Sequence, residues 1–221
     1  MKYNIAEKFV SINGEGRLAG QLSVFIRFTG CNLNCSYCDT TWANDLKAPF
    51  ELMDENEIYN YIKSTGVRNV TLTGGEPLIQ KNIRVLLEKL ASDKNIRVEI
   101  ETNGSKDISE YFGIDNRPSF TVDYKLEGSG MEQHMFLLNF SRVQAEDTVK
   151  FVVSNMTDLI NAYNIINRFG LSQNTRVFIS PVFGRINPEE IVDFMKEKKL
   201  NDINLQLQIH KIIWDPNKKG V

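Results

Sequence analysis

The chain has 221 residues, of which 42% are hydrophobic and 24% are charged, which suits a single globular domain over residues 1–221 with a full core. The formal net charge of -2 excludes the basic surface expected of a nucleic-acid-binding protein. No apolar run approaches the roughly 20 residues that span a membrane. The first residues lack the features of a signal peptide, so we expect a cytoplasmic protein.

The N-terminal region predicts two strands around a glycine-containing turn. Residues 3–10 are the first expected strand, and residues 13–16, Asn-Gly-Glu-Gly, form a turn that can bring the backbone close to a ligand. Residues 23–28 alternate and are rich in β-branched and aromatic residues, which is typical of a strand. Arg27 in this strand needs an anionic partner if it is buried. The alternative is an edge strand with a solvated arginine.

The rest of the chain alternates strands with helices. Asp54 and Glu57 predict a capping box at the start of one helix, and Asn187 with Pro188 marks the start of another. Apolar stripes predict helices after Pro77 and around residues 159–166. Further strands are expected at residues 69–73, 96–101, 120–122, 148–153, 176–179 and 205–210. Such alternation predicts parallel β/α units.

These elements predict an α/β fold, namely an incomplete, partly open parallel β/α barrel with about six core strands. Residues 115–119 and 126–146 give weak helix patterns, so some helices of a complete barrel are expected to be missing. In parallel barrels the active site forms at the C-terminal ends of the strands. Polar clusters follow the predicted strands at that end, at residues 31–38, 74–77, 101–103, 123–125 and 180–181.

All three cysteines of the chain lie within eight residues, as Cys31, Cys35 and Cys38 in a C-x3-C-x2-C pattern. Three thiolates on a four-iron cluster leave one iron open for another ligand. A structural zinc site needs four protein ligands, and the two histidines, His134 and His210, are far away in sequence. Disulfides are disfavoured because the number of cysteines is odd. The spacing therefore favours an iron–sulfur cluster.

The chain resembles the 7-carboxy-7-deazaguanine synthases of the radical S-adenosylmethionine superfamily over nearly its whole length. The resemblance is carried by the cysteine pattern, the 13–16 turn, Arg27, the segments 38–40, 73–77 and 101–104, and the late Gln208-x-His210. It implies conversion of 6-carboxy-5,6,7,8-tetrahydropterin to 7-carboxy-7-deazaguanine with loss of ammonia, in queuosine biosynthesis. It also implies a [4Fe-4S] cluster, S-adenosylmethionine, Mg2+, a homodimer and an electron donor such as flavodoxin or ferredoxin.

The resemblance also implies residue roles, because each family motif falls on definite positions of this chain. The cluster would be bound by Cys31, Cys35 and Cys38. S-adenosylmethionine would be bound by Tyr37, Cys38, Asp39, Gly75, Glu76, Asp123, Tyr124, Lys125, Ser180, Pro181, Val182 and Phe183. The pterin would contact Ile12, Asn13, Gly14, Glu15, Arg27, Thr73, His210 and Pro216. Thr40 would offer its hydroxyl to Mg2+, whereas the alternative is that it caps the turn after the cysteines.

Three segments depart from the usual family pattern. Asn13 stands where glutamine is usual, and Asp123-Tyr124 stands where Ser-Pro is usual. The segment 180–183 matches a Gln-Pro segment only at its proline. Two other functions remain open: a small activase that generates a glycyl radical on a partner protein, and a non-catalytic zinc-binding module. Turnover of a free pterin would distinguish a synthase from the activase. Metal analysis would distinguish an iron–sulfur enzyme from the zinc-binding module.

Overall fold

The computed structural model describes residues 1–216 and 218–221. Nine strands form one sheet in the order β3-β1-β2-β4-β5-β6-β7-β8-β9. Their bounds are β1 (Lys2–Ile12), β2 (Leu22–Phe28), β3 (Glu51–Asp54), β4 (Asn69–Gly74), β5 (Arg97–Thr102), β6 (Ser119–Tyr124), β7 (Thr148–Val153), β8 (Arg176–Pro181) and β9 (Ile203–Leu205). The strands β3 and β9 end the order, so the sheet is not closed within the described residues.

Seven of these strands are parallel, and two antiparallel strands extend one edge. In register, Val24 of β2 pairs with Val70 of β4, which pairs with Val98 of β5. At the antiparallel edge, β1 pairs with both β2 and β3. The predicted α/β fold with an incomplete, partly open barrel is thus confirmed. The six predicted core strands correspond to β2 and β4–β8, and the antiparallel strand β3 was not predicted.

Helices connect most of the parallel strands on the convex side of the sheet. Their bounds are α1 (Thr41–Asn44), α2 (Glu55–Thr65), α3 (Ile83–Ala91), α4 (Leu138–Arg142), α5 (Met156–Phe169), α6 (Leu171–Asn174), α7 (Pro188–Lys198) and α8 (His210–Ile213). Short 3₁₀ turns at Ile108–Tyr111, Glu127–Ser129 and Glu132–His134 take the place of long helices around β6. This confirms the prediction that some helices of a complete barrel are missing in this part of the chain. None of the described helices is long and apolar enough to cross a membrane.

Two predicted helix starts are confirmed in atomic detail. The Asp54 carboxylate accepts hydrogen bonds from the amides of Asn56 and Glu57, and Glu57 accepts in return from the amide of Asp54 at 2.7 Å. Asn187 caps α7 in the same reciprocal way, with Pro188 at the first helical position. These local bonds satisfy amides that have no partner inside a helix, so they fix where α2 and α7 begin.

Alternate residues of the parallel strands face opposite sides of the sheet. The apolar set packs under the helices and is fully buried, for example Leu72 in β4, Ile100 in β5 and Val149 in β7. The opposite set is polar and includes Thr73, Glu101 and Lys150, which line a cavity on the concave side. The sheet therefore separates an apolar core from a polar interior.

The last predicted strand, residues 205–210, is wrong in most of its length. Only Leu205 belongs to β9, and helix α8 begins at His210. The intervening segment bonds the glycine turn as well as β8, since the amide of Gln206 donates to the carbonyl of Ile179 at 2.9 Å. The side chain of Gln206 accepts from the amide of Gly16 at 2.8 Å and donates to its carbonyl at 3.1 Å, while the amide of Ile209 donates to the carbonyl of Gly14. The C-terminal segment thereby closes one side of the open barrel.

Candidate active site

A cavity of about 260 Å³ lies at the C-terminal ends of the parallel strands, as the barrel prediction requires. Most of the residues that the sequence analysis assigned to the site line it. They are Ile12, Gly14, Glu15, Arg27, Cys31, Cys35, Tyr37, Cys38, Asp39, Thr40, Thr73, Gly75, Asp123, Lys125, Val182, Phe183 and His210. Segments far apart in sequence thus converge on one volume.

The three cysteines lie on the loop between β2 and α1 as free, half-buried thiols. N–H groups point at two of the sulfur atoms: the amide of Leu33 lies 3.4 Å from Cys31 Sγ, and Asn44 Nδ2 lies 3.4 Å from Cys38 Sγ. Burial raises the pKa of the Cys31 and Cys35 thiols, so a metal charge is needed to hold them as thiolates at neutral pH. Donors to sulfur and a shielded loop are the surroundings that cysteine-bound iron–sulfur clusters have.

A structural zinc site needs four protein ligands, and the loop supplies three cysteines. Among the described residues, no group of three or more His, Cys, Asp or Glu side chains converges on one ion position. Zinc bound by cysteines needs its sulfur atoms at about 2.3 Å from one centre, whereas a cluster binds each sulfur through a different iron. The donor set of three separate thiols therefore fits a four-iron cluster.

The glycine pair after β4 brings that strand against the start of the cysteine loop. The amide of Gly75 donates to the carbonyl of Phe28 at 3.2 Å, and the amide of Glu76 donates to the carbonyl of Gly30 at 2.9 Å. A methyl group on Gly75 would overlap the backbone of Gly30. Only glycine permits this approach, and it places the Gly75 backbone on the cavity wall beside the cysteines.

A buried network of charges forms the floor of the cavity. Lys125 Nζ lies 2.7 Å from Asp123 Oδ2, and Lys150 Nζ lies 3.5 Å from Asp123 Oδ1 and 3.3 Å from Glu15 Oε2. Burial raises the pKa of Glu101, while the pKa of Asp123 stays below its usual value because the two lysines offset the cost of its burial. The cavity therefore presents carboxylates and ammonium groups side by side.

Three comparisons with known proteins agree with this geometry. A sequence model of the Radical SAM superfamily matches residues 25–123. A 7-carboxy-7-deazaguanine synthase of Clostridium acetobutylicum is 61% identical over 221 residues, covering 100% of both chains. The chain belongs to the 7-carboxy-7-deazaguanine synthase family. A second member, from Chlorobaculum tepidum, is 34% identical and covers 99% of this chain and 97% of its own.

A solved structure shares the fold of this family member. The crystal structure of QueE from Escherichia coli covers 94% of each chain with a TM-score of 0.73 at 20% identity. As a 7-carboxy-7-deazaguanine synthase homologue of the radical S-adenosylmethionine superfamily, the chain is an enzyme. Its family implies a [4Fe-4S] cluster and S-adenosylmethionine as cofactors, which the cysteine loop fits.

Glu76, within the family motif Gly-Gly-Glu-Pro, is fully buried and does not line the cavity. Its carboxylate accepts hydrogen bonds from the Leu78 amide at 2.9 Å, the Thr102 hydroxyl at 2.8 Å and the Asn103 amide at 2.7 Å. Both oxygens are engaged in bracing the turn after β4 against the end of β5. The position of Glu76 therefore does not support its predicted contact with S-adenosylmethionine, since it lies outside the cavity lining and its oxygens have donors within the chain.

Tyr124 also lies outside the cavity, although the family motif places it among the ligand residues. Its side chain is buried in the apolar core against Phe140 and Phe151, with ring centroids 4.9 and 5.6 Å away. The alternation of β6 gives the reason, because Tyr124 shares a face with the buried Phe120 and Val122. Asp123 and Lys125, on either side of it, face the cavity.

Four further predicted residues do not line the cavity. Ser180 and Pro181 are buried at the end of β8, and Pro181 borders a separate apolar groove instead. Asn13 is buried beneath the glycine turn, where its Oδ1 accepts from the Thr71 hydroxyl at 2.9 Å. Pro216 is exposed at the surface. The structure therefore keeps only Val182 and Phe183 of the 180–183 segment at the cavity.

Arg27 has an anionic partner inside the chain. Its Nε donates to Glu7 Oε1 at 2.7 Å, and the antiparallel register of β1 and β2 places the two residues opposite each other. Strand β2 lies between β1 and β4, so the alternative of an edge strand with a solvated arginine is wrong. The side chain is 17% exposed and lines the cavity.

Three charged residues that line the cavity were missed as site residues, namely Lys211 on α8 and two residues within strands. Lys150 interrupts the apolar strand β7, and Glu101 interrupts β5. A charge inside a strand that is covered on both faces must find a partner or a polar cavity. The charges of these two strand residues could therefore have identified them as candidates for the cavity from the sequence alone.

Glu99 of β5 is buried beside Thr121, a residue that lines the cavity. Its carboxylate accepts from the Thr121 hydroxyl at 2.6 Å, and burial raises the pKa of this carboxyl from 4.5 to about 7. A raised pKa means that the folded state binds the proton more tightly than the unfolded state does. The stability that this proton contributes is complete below about pH 4.5 and is lost as the pH rises to about 7.

We predict that Glu99→Gln flattens the pH dependence of stability. The wild-type protein is expected to lose about 2–3 kcal/mol of unfolding free energy through this group between pH 5 and pH 8, whereas glutamine carries no such titration. The measurement is the thermal unfolding temperature of both anaerobic proteins at the two pH values. Parallel pH dependences would show that Glu99 titrates normally.

Proposed function

We propose that this enzyme converts 6-carboxy-5,6,7,8-tetrahydropterin to 7-carboxy-7-deazaguanine with loss of ammonia, as a step of queuosine or related deazapurine synthesis. The observation that carries the proposal is one cavity that joins the cysteine loop to Arg27, Thr73 and Glu15. The cysteine loop fits a cluster-bound cofactor, and the arginine can bind an anionic group of the substrate. The family relationship names the product.

The role of the chain in this reaction would be to bind the cofactors and to shield them from solvent. When bound, the cluster and S-adenosylmethionine would supply radical chemistry that begins with removal of a hydrogen atom from the substrate. Cys31, Cys35 and Cys38 would hold three irons, leaving the fourth for S-adenosylmethionine. The Gly75 backbone and the Asp123–Lys125 pair border the same volume, and they offer a carbonyl, a carboxylate and an ammonium to its polar groups.

The substrate would occupy the part of the cavity away from the cysteines. Arg27 uses Nε for Glu7, which leaves its two terminal amino groups for the carboxylate of the pterin. His210 packs on Gly14, and its burial lowers the pKa of the imidazole. A neutral imidazole can both donate and accept a hydrogen bond, so it suits the edge of a neutral pterin ring.

Mg2+ would bind at Thr40, beside the last cysteine. The Thr40 hydroxyl donates to Asp39 Oδ1 at 3.0 Å and makes no capping bond to the following helix α1. This geometry supports a role other than capping, and an exchangeable hydroxyl next to a carboxylate suits a hard cation. The remaining Mg2+ ligands would come from substrate and water.

We predict that Thr40→Val abolishes most of the Mg2+ stimulation of product formation. The valine keeps the shape of the side chain but removes an oxygen ligand, so cluster content should be unchanged. The measurement is the rate of product formation against Mg2+ concentration for both proteins after chelator treatment. Superimposable curves, with a stability change on the order of 1 kcal/mol or less, would exclude Thr40 from the metal site.

The partners of the enzyme follow from the same proposal. The cysteine loop carries exposed residues at Asn32, Asn34 and Ser36, so an electron donor such as flavodoxin or ferredoxin can approach the cluster from that side. A homodimer is inferred from the family resemblance, and the expected cytoplasmic location is kept as part of this proposal. A reducing compartment would suit a cluster held by three half-buried cysteines.

The deciding experiment is anaerobic reconstitution with iron and sulfide, followed by incubation with S-adenosylmethionine, a reductant and the carboxytetrahydropterin. We expect brown protein, 5′-deoxyadenosine and a product with the mass of 7-carboxy-7-deazaguanine. Cleavage of S-adenosylmethionine without pterin turnover would point to an activase of a partner protein. Colourless protein that retains zinc would contradict both enzymatic functions.

A further inference from the structure

The connection after β6 forms a compact turn in place of a long helix. Residues 126–131, the β6 turn, include the 3₁₀ segment Glu127–Ser129, and the next α-helix, α4, begins at Leu138. In a regular β/α unit a helix would follow the strand and pack on the outer face of the sheet. The β6 turn instead lies against the cysteine loop, at the C-terminal ends of the strands.

Two hydrogen bonds join the β6 turn to the cysteine loop just after Cys35. The Ser36 amide donates to the carbonyl of Ser129 at 3.0 Å, and the Ser36 hydroxyl donates to the carbonyl of Gly128 at 2.7 Å. The first of these bonds does not depend on the serine side chain. The turn therefore restrains the loop backbone next to one of the expected cluster ligands.

The β6 turn also contacts the loop just before Cys35. The Asn34 amide donates to Met131 Sδ at 3.4 Å, and the Met131 amide donates to the Ser129 hydroxyl at 3.0 Å. Ser129 is 1% exposed, and its hydroxyl donates to the carbonyl of Leu126. Bonds within the turn thus stiffen it, and its contacts hold the loop on both sides of the cysteine.

The β6 turn is anchored on a buried carboxylate in the first turn of α5. Asp158 is 1% exposed, and its Oδ1 accepts from the Gly128 amide at 2.9 Å. Its Oδ2 accepts from the amide and the hydroxyl of Ser154 at 2.9 and 2.6 Å. A buried carboxylate needs such donors, and here they come from two separate connections of the barrel. Asp158 therefore ties the turn to the end of β7.

Gly128 is the point of closest approach between the turn and this anchor. A methyl group at this position would overlap Ser154 Oγ and Asp158 Oδ2. Because the donors fix the Asp158 carboxylate, it cannot move aside without losing hydrogen bonds. Gly128 does not have a positive φ, so the position requires glycine for space and not for its backbone angle.

We propose that the β6 turn supports the cysteine loop in the geometry that the cluster requires, with Gly128 and Asp158 as its positioning residues. The sulfur ligands of a cluster must keep fixed separations, and the residues behind metal ligands determine how well those ligands are oriented. This role rests on the cluster within the proposed function and not on the identity of the pterin.

Two other contacts hold the same loop. The Tyr37 hydroxyl donates to the carbonyl of Val152 at 3.2 Å, and Arg185 donates to the carbonyl of Ser36 at 3.4 Å. Both lie on the C-terminal side of Cys35, whereas the β6 turn contacts the loop on both sides. The test must therefore separate the support given by the turn from the support given by these two contacts.

The first test measures how fast the reconstituted holoenzyme loses its cluster to a ferrous-iron chelator. It is run anaerobically, at a temperature where circular dichroism shows every variant to be folded. We expect Gly128→Ala to lose the visible absorption of the cluster about tenfold faster than wild type or more, because the methyl group displaces the turn. Gly113→Ala is the matched control, since Gly113 also lacks a positive φ and has open space around it.

The second test separates ligand geometry from general stability. We expect the electron paramagnetic resonance signal of the chemically reduced cluster to shift or broaden in Gly128→Ala. A loss of stability alone would lower the thermal unfolding temperature and leave the signal of the folded holoenzyme unchanged. Asp158→Asn takes the place of Gly128→Ala if the latter gives no soluble protein, because its amide nitrogen would face a donor from Gly128 or Ser154.

Three results would overturn the proposal. The first is a folded Gly128→Ala or Asp158→Asn holoenzyme that loses its cluster as slowly as wild type, since the contacts of Tyr37 and Arg185 would then suffice. The second is faster loss with an unchanged resonance signal, and the third is equal acceleration in Gly113→Ala. A wild-type protein that keeps its cluster but does not turn over the pterin would contradict the proposed function alone, and the role of the turn would stand.

Discussion

Replacing any one of the three cysteines by alanine is expected to abolish cleavage of S-adenosylmethionine. The chain contains three thiols in all, and each would bind a different iron, so no spare ligand can replace a lost one. The measurement is formation of 5′-deoxyadenosine and methionine by Cys31→Ala, Cys35→Ala and Cys38→Ala after reconstitution. Iron content and the visible absorption of the cluster should fall in parallel.

The control for this experiment lies inside the same loop. Ser36 stands between Cys35 and Tyr37, is exposed, and donates its hydroxyl to the carbonyl of Gly128 at 2.7 Å. Ser36→Ala removes one loop contact and leaves all three thiols, so it should retain the cluster and the cleavage activity. Full cleavage by any single cysteine variant would contradict the cluster assignment, and loss of activity in Ser36→Ala would show that the loop is merely fragile.

Local signals made much of this fold predictable from the sequence. The capping residues Asp54 and Asn187 fix helix starts through bonds within four residues, and alternation marks the parallel strands. The convergence of the polar clusters also follows, because the C-terminal ends of parallel strands meet at one side of a sheet. These features depend on neighbours in sequence or on general rules of β/α topology.

Long-range contacts explain what the sequence analysis missed. The segment after Leu205 alternates like a strand, yet Gln206 bonds Gly16, which is 190 residues away. The role of Glu76 likewise depends on donors at Thr102 and Asn103, which no local pattern connects to it. The structural use of an acid inside a ligand-binding motif is therefore visible only after the strands are assembled.

Strand alternation would have corrected one assignment that followed the family motif. Tyr124 has the parity of Phe120 and Val122 in β6, which points it into the apolar core, whereas Asp123 has the parity of the cavity residues. The same reasoning identifies Lys150, the single charge of β7. Where a motif and the periodicity of a strand disagree on the direction of a side chain, the periodicity is the better guide.

The second large effect is expected at Arg27. Arg27→Met should weaken binding of the carboxytetrahydropterin by about 2–5 kcal/mol, because a partly buried guanidinium that pairs with a substrate carboxylate is lost. Cluster content and cleavage of S-adenosylmethionine in the absence of pterin should remain close to wild type, since Arg27 lies on β2 and makes no contact with the cysteines among the described hydrogen bonds and ion pairs. The measurement is the equilibrium affinity for the pterin, with iron content determined on the same samples.

The ion pair between Arg27 and Glu7 provides the matched control. Arg27→Met also leaves the Glu7 carboxylate, with a side chain 20% exposed, without its partner, and this alone could distort β1 and β2. Glu7→Gln breaks the same ion pair but keeps the guanidinium and a hydrogen-bond acceptor. If Arg27 acts on the substrate, Glu7→Gln should bind the pterin with near wild-type affinity while Arg27→Met does not. Equal losses in the two variants would mean that Arg27 only joins the two strands, and an unchanged affinity in Arg27→Met would place the substrate carboxylate elsewhere in the cavity.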